Sequence, residues 1–127
     1  MLILLKKYFL ALFFLISISP VKAFECRHAM TTIEINQCAV HELERLEKVN
    51  GSTLQQAIDL NQGDLELIKL LQESQIKWQA YRDAHCESVY KRWEDGSIRN
   101  IMAIQCKIDL TQTRTDRIRF DFLGFKK

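Results

Sequence analysis

The stretch Trp78-Gln79-Ala80-Tyr81-Arg82-Asp83-Ala84-His85-Cys86 precedes a turn at Glu94-Asp95-Gly96-Ser97, and a second amphipathic run carrying Cys106 follows that turn. Cys86 lies ten residues before Gly96, and Cys106 lies ten residues after it. In two antiparallel helices, residues at equal distances from the connecting turn face each other. The spacing therefore predicts a helical hairpin closed by a disulfide between Cys86 and Cys106.

Residues 1–23 have the pattern of a secretory signal peptide. Two lysines precede an apolar run from Tyr8 to Ile18, and Val21-Lys22-Ala23 matches a small-residue cleavage site. A membrane anchor is the alternative, but the run is short for a bilayer span and polar residues soon follow it. No cysteine follows the cleavage site directly, so the sequence gives no sign of a lipid anchor. We expect a periplasmic or secreted protein of residues 24–127 that is free of the membrane after cleavage.

The four cysteines all lie in residues 24–127, a length that suits one small domain. An even number of cysteines in a small exported domain favours disulfides over reactive thiols. Cys38 lies about two turns into the first predicted helix, and the short segment after Cys26 can fold back to it. We therefore pair Cys26 with Cys38 and Cys86 with Cys106, although the sequence leaves the other connectivities open.

Charge is distributed unevenly along the chain. The full sequence has a net charge of +2, but residues 24–127 alone carry −1, with −5 in residues 24–75 and +4 in residues 76–127. Nucleic-acid binders usually present a concentrated basic surface, so this distribution argues against nucleic acid as a partner. It allows an acidic surface that binds another protein, with the candidate residues Glu42, Glu44, Glu47, Asp59, Asp64 and Glu66.

The first helix is predicted to start at the capping box Thr31-Thr32-Ile33-Glu34. Apolar or small residues then recur at helical spacing, and the pattern continues in phase beyond Asn50-Gly51-Ser52. We therefore expect one long helix up to about Leu60, in which the interior glycine costs about 1 kcal/mol. A kink at Gly51 is the alternative. Asn61-Gln62-Gly63-Asp64 is a turn that provides caps for the next helix.

The second helix is predicted from Leu65 to about Trp93, and the third from Ser97, a good N-cap, to Gly124. At 100° per residue, one face of the second helix is charged or small. The opposite face consists of Ile68, Leu71, Gln75, Trp78, Arg82, Cys86, Val89 and Trp93. No stretch shows the alternation of a strand. The predicted fold class is therefore all-α: a small antiparallel three-helix bundle that two disulfides hold together.

Gln75 and Arg82 lie in the middle of an otherwise apolar helix face. A buried guanidinium must be paired and hydrogen-bonded, because an uncompensated buried charge is very costly. Trp78 is one turn away and can stack on the guanidinium. The candidate carboxylate partners are Asp109, which the hairpin register brings close, and Glu34 and Glu42 of the first helix.

These polar residues allow two interpretations. The first is a core polar network that fixes the register of the helices. The second is a groove for a ligand or partner, bordered by Trp78, Tyr81, Arg82 and Asp83. On the third helix, the basic residues are expected to face outward into solvent: Arg99, Lys107, Arg114 and Arg117.

Two combinations of cysteine and histidine could in principle form a metal site or a catalytic site. Cys26-x-His28 and Cys38-x-x-His41 match no common zinc spacing, and an oxidising compartment favours the disulfide. Cys86 follows His85, but adjacent side chains on a helix point apart, so they do not form a nucleophile with its base. The sequence predicts no metal site, no cofactor and no enzymatic activity.

Three segments carry a family resemblance: Cys26…Thr31-Thr32-x-Glu34-Ile35-Asn36-x-Cys38-Ala39, then Gln75-x-x-Trp78-x-x-Tyr81-Arg82-Asp83-x-x-Cys86, and Gly96-Ser97…Cys106…Leu110-Thr111-x-x-Arg114-Thr115. Together they resemble the lysozyme inhibitor LprI N-terminal domain family, whose members are small exported bacterial proteins. The resemblance spans nearly all of residues 24–127. The chain departs from the family pattern at Gly51 and Thr53, where bulkier helix formers are expected, and it lacks the lipobox of some members.

The resemblance implies an exported protein that binds or inhibits lysozyme-type muramidases. Animal lysozymes are basic, so the acidic half of the chain would steer such an enzyme toward it. The alternative is a periplasmic interaction module for another envelope or extracellular protein, without lysozyme inhibition, which would use the region around Trp78 and Tyr81. Binding that weakens markedly as salt is added would favour the lysozyme interpretation.

Overall fold

A computed structural model describes residues 26–124 of the chain. A short 3₁₀ turn at Cys26–His28 precedes three helices: α1 (Thr32–Asp59), α2 (Leu65–Arg92) and α3 (Arg99–Ile118). A π-helical turn at Arg119–Leu123 extends α3. The described residues contain no strand, so the predicted all-α, three-helix fold is confirmed. The predicted signal peptide lies outside the described residues.

Both predicted disulfides are confirmed. Cys86 of α2 and Cys106 of α3 are joined, with their Cα atoms 5.6 Å apart, and close the helical hairpin. Cys26 and Cys38 are joined as well and hold the short 3₁₀ turn against α1. All four cysteines are therefore oxidised, and none is available as a thiolate.

The predicted capping box starts α1. The Thr31 hydroxyl accepts a hydrogen bond from the Glu34 amide, and the Glu34 carboxylate accepts hydrogen bonds from the amides of Thr31 and Met30. These donors, the Thr31 amide first, hold the pKa of Glu34 below its ordinary value because they favour the charged carboxylate. The helix then continues through Gly51 without interruption, which confirms the prediction of one long helix.

The second and third helices begin differently. Asp64 caps α2 by accepting a hydrogen bond from the Leu67 amide at 2.9 Å, as predicted. Ser97 does not cap α3 as predicted: the N-cap position is Ile98, which makes no side-chain capping bond. The reason is that the chain leaves α2 through a backbone turn, in which the Arg99 amide bonds to the Gly96 carbonyl, and this turn includes Ser97.

The helices pack with α3 between the other two. α3 lies against both α1 and α2, whereas α1 and α2 make few direct contacts with each other. An apolar core forms where α1 ends and α2 begins, around the buried residues Ala57, Leu71 and Ile118. Within residues 26–124, none of the helices combines the length and apolar composition that crossing a membrane requires.

Candidate functional site

The middle of the bundle contains a layer of polar side chains in place of an apolar core. Its members come from all three helices, and each is less than a tenth exposed: Asn50, Thr53, Gln75, Arg82, Thr111 and Thr115. Burying such groups is unfavourable unless they are hydrogen-bonded. We call these six residues the polar layer. Their hydrogen bonds offset the free-energy cost of burying their polar groups.

A chain of hydrogen bonds runs through the polar layer. Arg114 Nε donates to Gln75 Oε1 at 3.2 Å, and Gln75 Nε2 donates to Asn50 Oδ1 at 2.6 Å. Asn50 Nδ2 in turn donates to Thr115 Oγ1 at 3.0 Å, and the Thr115 hydroxyl donates to the Thr111 carbonyl at 2.8 Å. Because each amide uses both its oxygen and its nitrogen, the orientation of both side chains is fixed.

Arg82 is the charged centre of the polar layer. Its Nη1 atom donates to Glu47 Oε1 at 2.8 Å and to Thr111 Oγ1 at 3.1 Å. Its Nε atom donates to Asp83 Oδ1 at 3.1 Å, and the guanidinium lies 5.1 Å from the ring centroid of Trp78. The predicted pairing of a buried arginine and its contact with Trp78 are thus observed.

The carboxylate partner of Arg82 differs from the one predicted. Asp109 is exposed and accepts a hydrogen bond from Gln105, because it lies two residues before Thr111 and so points about 200° away around α3. The two alternatives are also occupied elsewhere: Glu34 caps α1, and Glu42 bonds to Arg45. That bond to Arg45 lowers the pKa of Glu42.

Two other residues of the predicted network lie at its edge or outside it. Tyr81 is 56% exposed and stacks on His85, with the ring centroids 5.6 Å apart, so it takes no part in the polar layer. Asp83 is half-exposed and lies between two cations, Arg82 and Lys107, the latter at 3.5 Å. Asp83 therefore links α2 to α3 at the rim of the polar layer.

Besides Glu47, sequence reasoning missed three members of this network. Arg114 was expected to face solvent, but it is partly buried and donates to Gln75 and Ser74, and burial lowers its pKa. Asn50 was placed in the long first helix but given no role in the core, and Thr111 was not placed in the core. The helical spacing of Leu46 to Asn50 and of Thr111 to Thr115, four residues in each case, was the available signal.

A cavity of about 290 Å³ lies between α1 and α2 over the polar layer. We call it the central cavity; it is lined by Glu47, Asn50, Gly51, Leu54, Gln75, Trp78, Gln79 and Arg82. Nothing lies within 4 Å of the position that a Cβ atom of Gly51 would occupy. A bulky residue at position 51 would extend toward this space, so the glycine helps to leave the cavity open.

A second, larger cleft lies at the opposite end from the apolar core. We call it the end cleft; it has a volume of about 470 Å³, and its mostly apolar walls include Val40, Leu43, Tyr90, Ala103 and Ile104. All three helices contribute to it: the start of α1, the end of α2 and the start of α3. Sequence reasoning did not identify this cleft, since it depends on how far α1 lies from the hairpin.

The predicted acidic surface is split between two places. Glu42, Glu44 and Glu47 lie in the middle of α1. Glu42 pairs with Arg45 and Glu47 with Arg82, whereas Glu44 lies 3.7 Å from His41 Nδ1. Asp59, Asp64 and Glu66 lie around the turn between α1 and α2, about 18 Å further along the α1 axis. The candidate residues therefore form two separate acidic patches and not one continuous surface. No three His, Cys, Asp or Glu side chains in residues 26–124 are placed to hold a metal ion.

The fold and the site together define a class of protein: a small helical bundle with two disulfides and a buried polar layer centred on an arginine. Disulfides are typical of extracytoplasmic proteins. The family model described as lysozyme inhibitor LprI matches residues 25–118. The chain therefore belongs to the LprI family, as its sequence motifs indicated. No curated protein and no solved structure matches the chain significantly.

Proposed function

We propose that this protein binds lysozyme-type muramidases outside the cytoplasm and inhibits them. The observation that carries the proposal is the match of the lysozyme inhibitor LprI family model over residues 25–118. The two disulfides are consistent with work in an oxidising compartment. The protein acts by binding and not by catalysis in this proposal.

The charge pattern supports a basic enzyme as the partner. Residues 24–75 carry a net charge of −5, and most of these residues belong to α1 and the start of α2. Complementary charge raises the rate of association and favours the correct partner over others. Glu47 is the least suited of the candidate acidic residues to meet a partner, because it already compensates Arg82.

The test is binding of the exported, oxidised protein to hen and human lysozymes by calorimetry, together with a cell-wall lysis assay. We expect binding with loss of lysis, and we expect the affinity to fall as the salt concentration rises, because screening weakens attraction between exposed charges. A folded, oxidised sample that binds neither enzyme would contradict the proposal.

The second candidate function is an interaction module for another envelope or extracellular protein. It is favoured by one observation, the partly exposed Trp78 at the mouth of the central cavity beside the exposed Tyr81. Binding through this apolar surface would respond weakly to salt. Capture of a partner that leaves lysozyme activity unchanged, with loss of capture in Trp78→Ala, would favour this function over the first.

A further inference from the structure

The walls of the end cleft are mostly apolar. Val40 of α1, Tyr90 of α2 and Ile104 of α3 line it from three sides, and Val40 remains 40% exposed. A volume of about 470 Å³ lies within the usual range of ligand-binding sites. The hydrophobic effect therefore favours an occupant with an apolar body.

The same cleft contains a polar atom without a partner. Asn36 lines the end cleft, and its Oδ1 atom is buried but accepts no hydrogen bond within the described part of the chain. A buried hydrogen-bond acceptor that has lost its water molecules without gaining a protein donor is unfavourable. The protein itself shields this oxygen from the cleft, so an occupant would reach it only after the Asn36 side chain turned.

The rim of the end cleft also has an uncompensated negative charge. Glu87 lines the cleft and makes no ion pair within residues 26–124, because Lys91, one turn further along α2, pairs with Glu94 instead. The one cation that lines the cleft is Lys107, and it lies 3.5 Å from the carboxylate of Asp83. The cleft is therefore apolar inside and negative at Glu87.

We propose that the end cleft binds a lysine or arginine side chain of a basic partner protein. The aliphatic stem lies against Val40 and Ile104, and the cationic head lies at Glu87. Long cationic side chains commonly bury their stems while the charge stays at the surface. A purely apolar occupant would leave the charge of Glu87 without a partner, and an acidic one would be repelled by it.

This inference rests on the proposed function in that it assigns the contact surface for a basic lysozyme. It places that contact at the end of the bundle and not on the predicted acidic residues of α1. The two ideas can fail separately, so the experiment needs one arm with lysozyme and one arm without it.

The first arm measures the affinity of hen lysozyme for the exported protein and three variants. Glu87→Gln removes the rim charge and should weaken binding about threefold, in keeping with an exposed ion pair. Ala103→Phe fills the cleft and should weaken binding roughly tenfold or more, as for loss of a central anchor site. Glu73→Gln is the matched control, since it is the same change on nearly the same face of α2, about 21 Å away along the axis.

The second arm uses n-butylguanidinium, with n-butanol as its uncharged control, and follows the NMR signals of Val40, Ala103 and Ile104. We expect saturable shifts with butylguanidinium at concentrations where butanol has little effect, and a weaker response in Glu87→Gln. Glu87 is exposed, so this variant keeps the test valid even if Ala103→Phe does not fold.

The outcomes separate the two ideas. Equal affinity of lysozyme for all variants would overturn the end cleft as the contact and leave the proposed function intact. If lysozyme binds none of them, the proposed function fails; Glu87-dependent shifts with butylguanidinium would then still support the cleft, and equal shifts with butanol would overturn it. A dimer that Ala103→Phe abolishes would assign the cleft to a second copy of the chain and overturn the proposal.

Discussion

Arg82 on α2 and Glu47 on α1 are joined by an ion pair of 2.8 Å, although these two helices make few direct contacts. The same Nη1 atom also donates to Thr111 on α3, so one buried side chain ties all three helices together. The Gln75–Asn50 hydrogen bond forms a second link between α1 and α2. The ion pair and the hydrogen bonds therefore hold the helices together in the middle of the bundle, as apolar packing does around Ala57 and Leu71.

Replacing Glu47 with alanine should destabilise the bundle. Within residues 26–124, the change leaves the guanidinium of Arg82 with Asp83 as its only acidic partner, and Asp83 already faces Lys107. Because Glu47 is half-exposed, we expect a loss of about 1–3 kcal/mol in the free energy of unfolding, less than for a fully buried pair. Urea denaturation of the oxidised protein measures this free energy.

Glu44→Ala is the matched control for this change. Glu44 lies on the same helix and is well exposed, and among residues 26–124 the one oppositely charged or titratable group that it approaches is His41. Its loss should change the free energy of unfolding by less than about 0.5 kcal/mol. Equal effects of Glu44→Ala and Glu47→Ala would show that the Arg82–Glu47 pair contributes no more than an ordinary surface charge.

The hydrogen bond between Asn50 and Gln75 should be visible as an energetic coupling. Each alanine variant alone leaves a buried amide of the other residue without its partner, at a cost of roughly 1–3 kcal/mol. The double variant should cost less than the sum of the single ones, with a coupling of about 0.5–3 kcal/mol. A double-mutant cycle by urea denaturation measures the coupling, and strict additivity would contradict the hydrogen-bonded chain.

The helices and disulfides were predictable because they depend on local spacing. The distances of Cys86 and Cys106 from Gly96 determine which residues of a helical hairpin face each other, and capping signals determine where α1 and α2 begin. The buried position of Arg82 followed from the same arithmetic on α2. These features need no knowledge of how α1 packs against the hairpin.

The partner of Arg82 and the end cleft could not be predicted in this way. Several carboxylates can reach a buried arginine in principle, and the choice of Glu47 over Asp109 depends on the rotation of α1 and α3 about their axes. The end cleft depends on the separation of α1 from the hairpin. Neither quantity is encoded in the periodicity of a single helix.

Replacing Gly51 with alanine should stabilise the protein. Gly51 lies within α1, and a Cβ atom there would meet nothing within 4 Å. Alanine is favoured over glycine in a helix interior by about 0.5–1 kcal/mol because it has less backbone entropy to lose. Thermal unfolding followed by circular dichroism measures the gain.

Gly63→Ala is the comparison for this prediction. Gly63 is equally open, but it lies in the turn between α1 and α2, where helix propensity has little influence. Its replacement should therefore raise the melting temperature less than Gly51→Ala does. A lower melting temperature for Gly51→Ala would contradict the prediction that helix propensity governs stability at this position.

Acid should weaken the start of α1 through Glu34. The backbone amides of Thr31 and Met30 hold the pKa of Glu34 below its ordinary value in the folded protein, so folding favours the charged carboxylate. The resulting stability is present above the unfolded pKa of a glutamate, about 4.3, and is lost as the pH falls through the lower folded pKa.

The variant Glu34→Gln keeps a side chain that can form hydrogen bonds but removes this titration. The difference in the free energy of unfolding between the unmodified protein and Glu34→Gln should be constant near neutral pH and should change as the pH falls below about 4.3. Urea denaturation between pH 7 and pH 2, with an NMR titration of the Glu34 carboxyl, measures both quantities. A difference that stays the same across this range would show that the capping box gains nothing from the charge of Glu34.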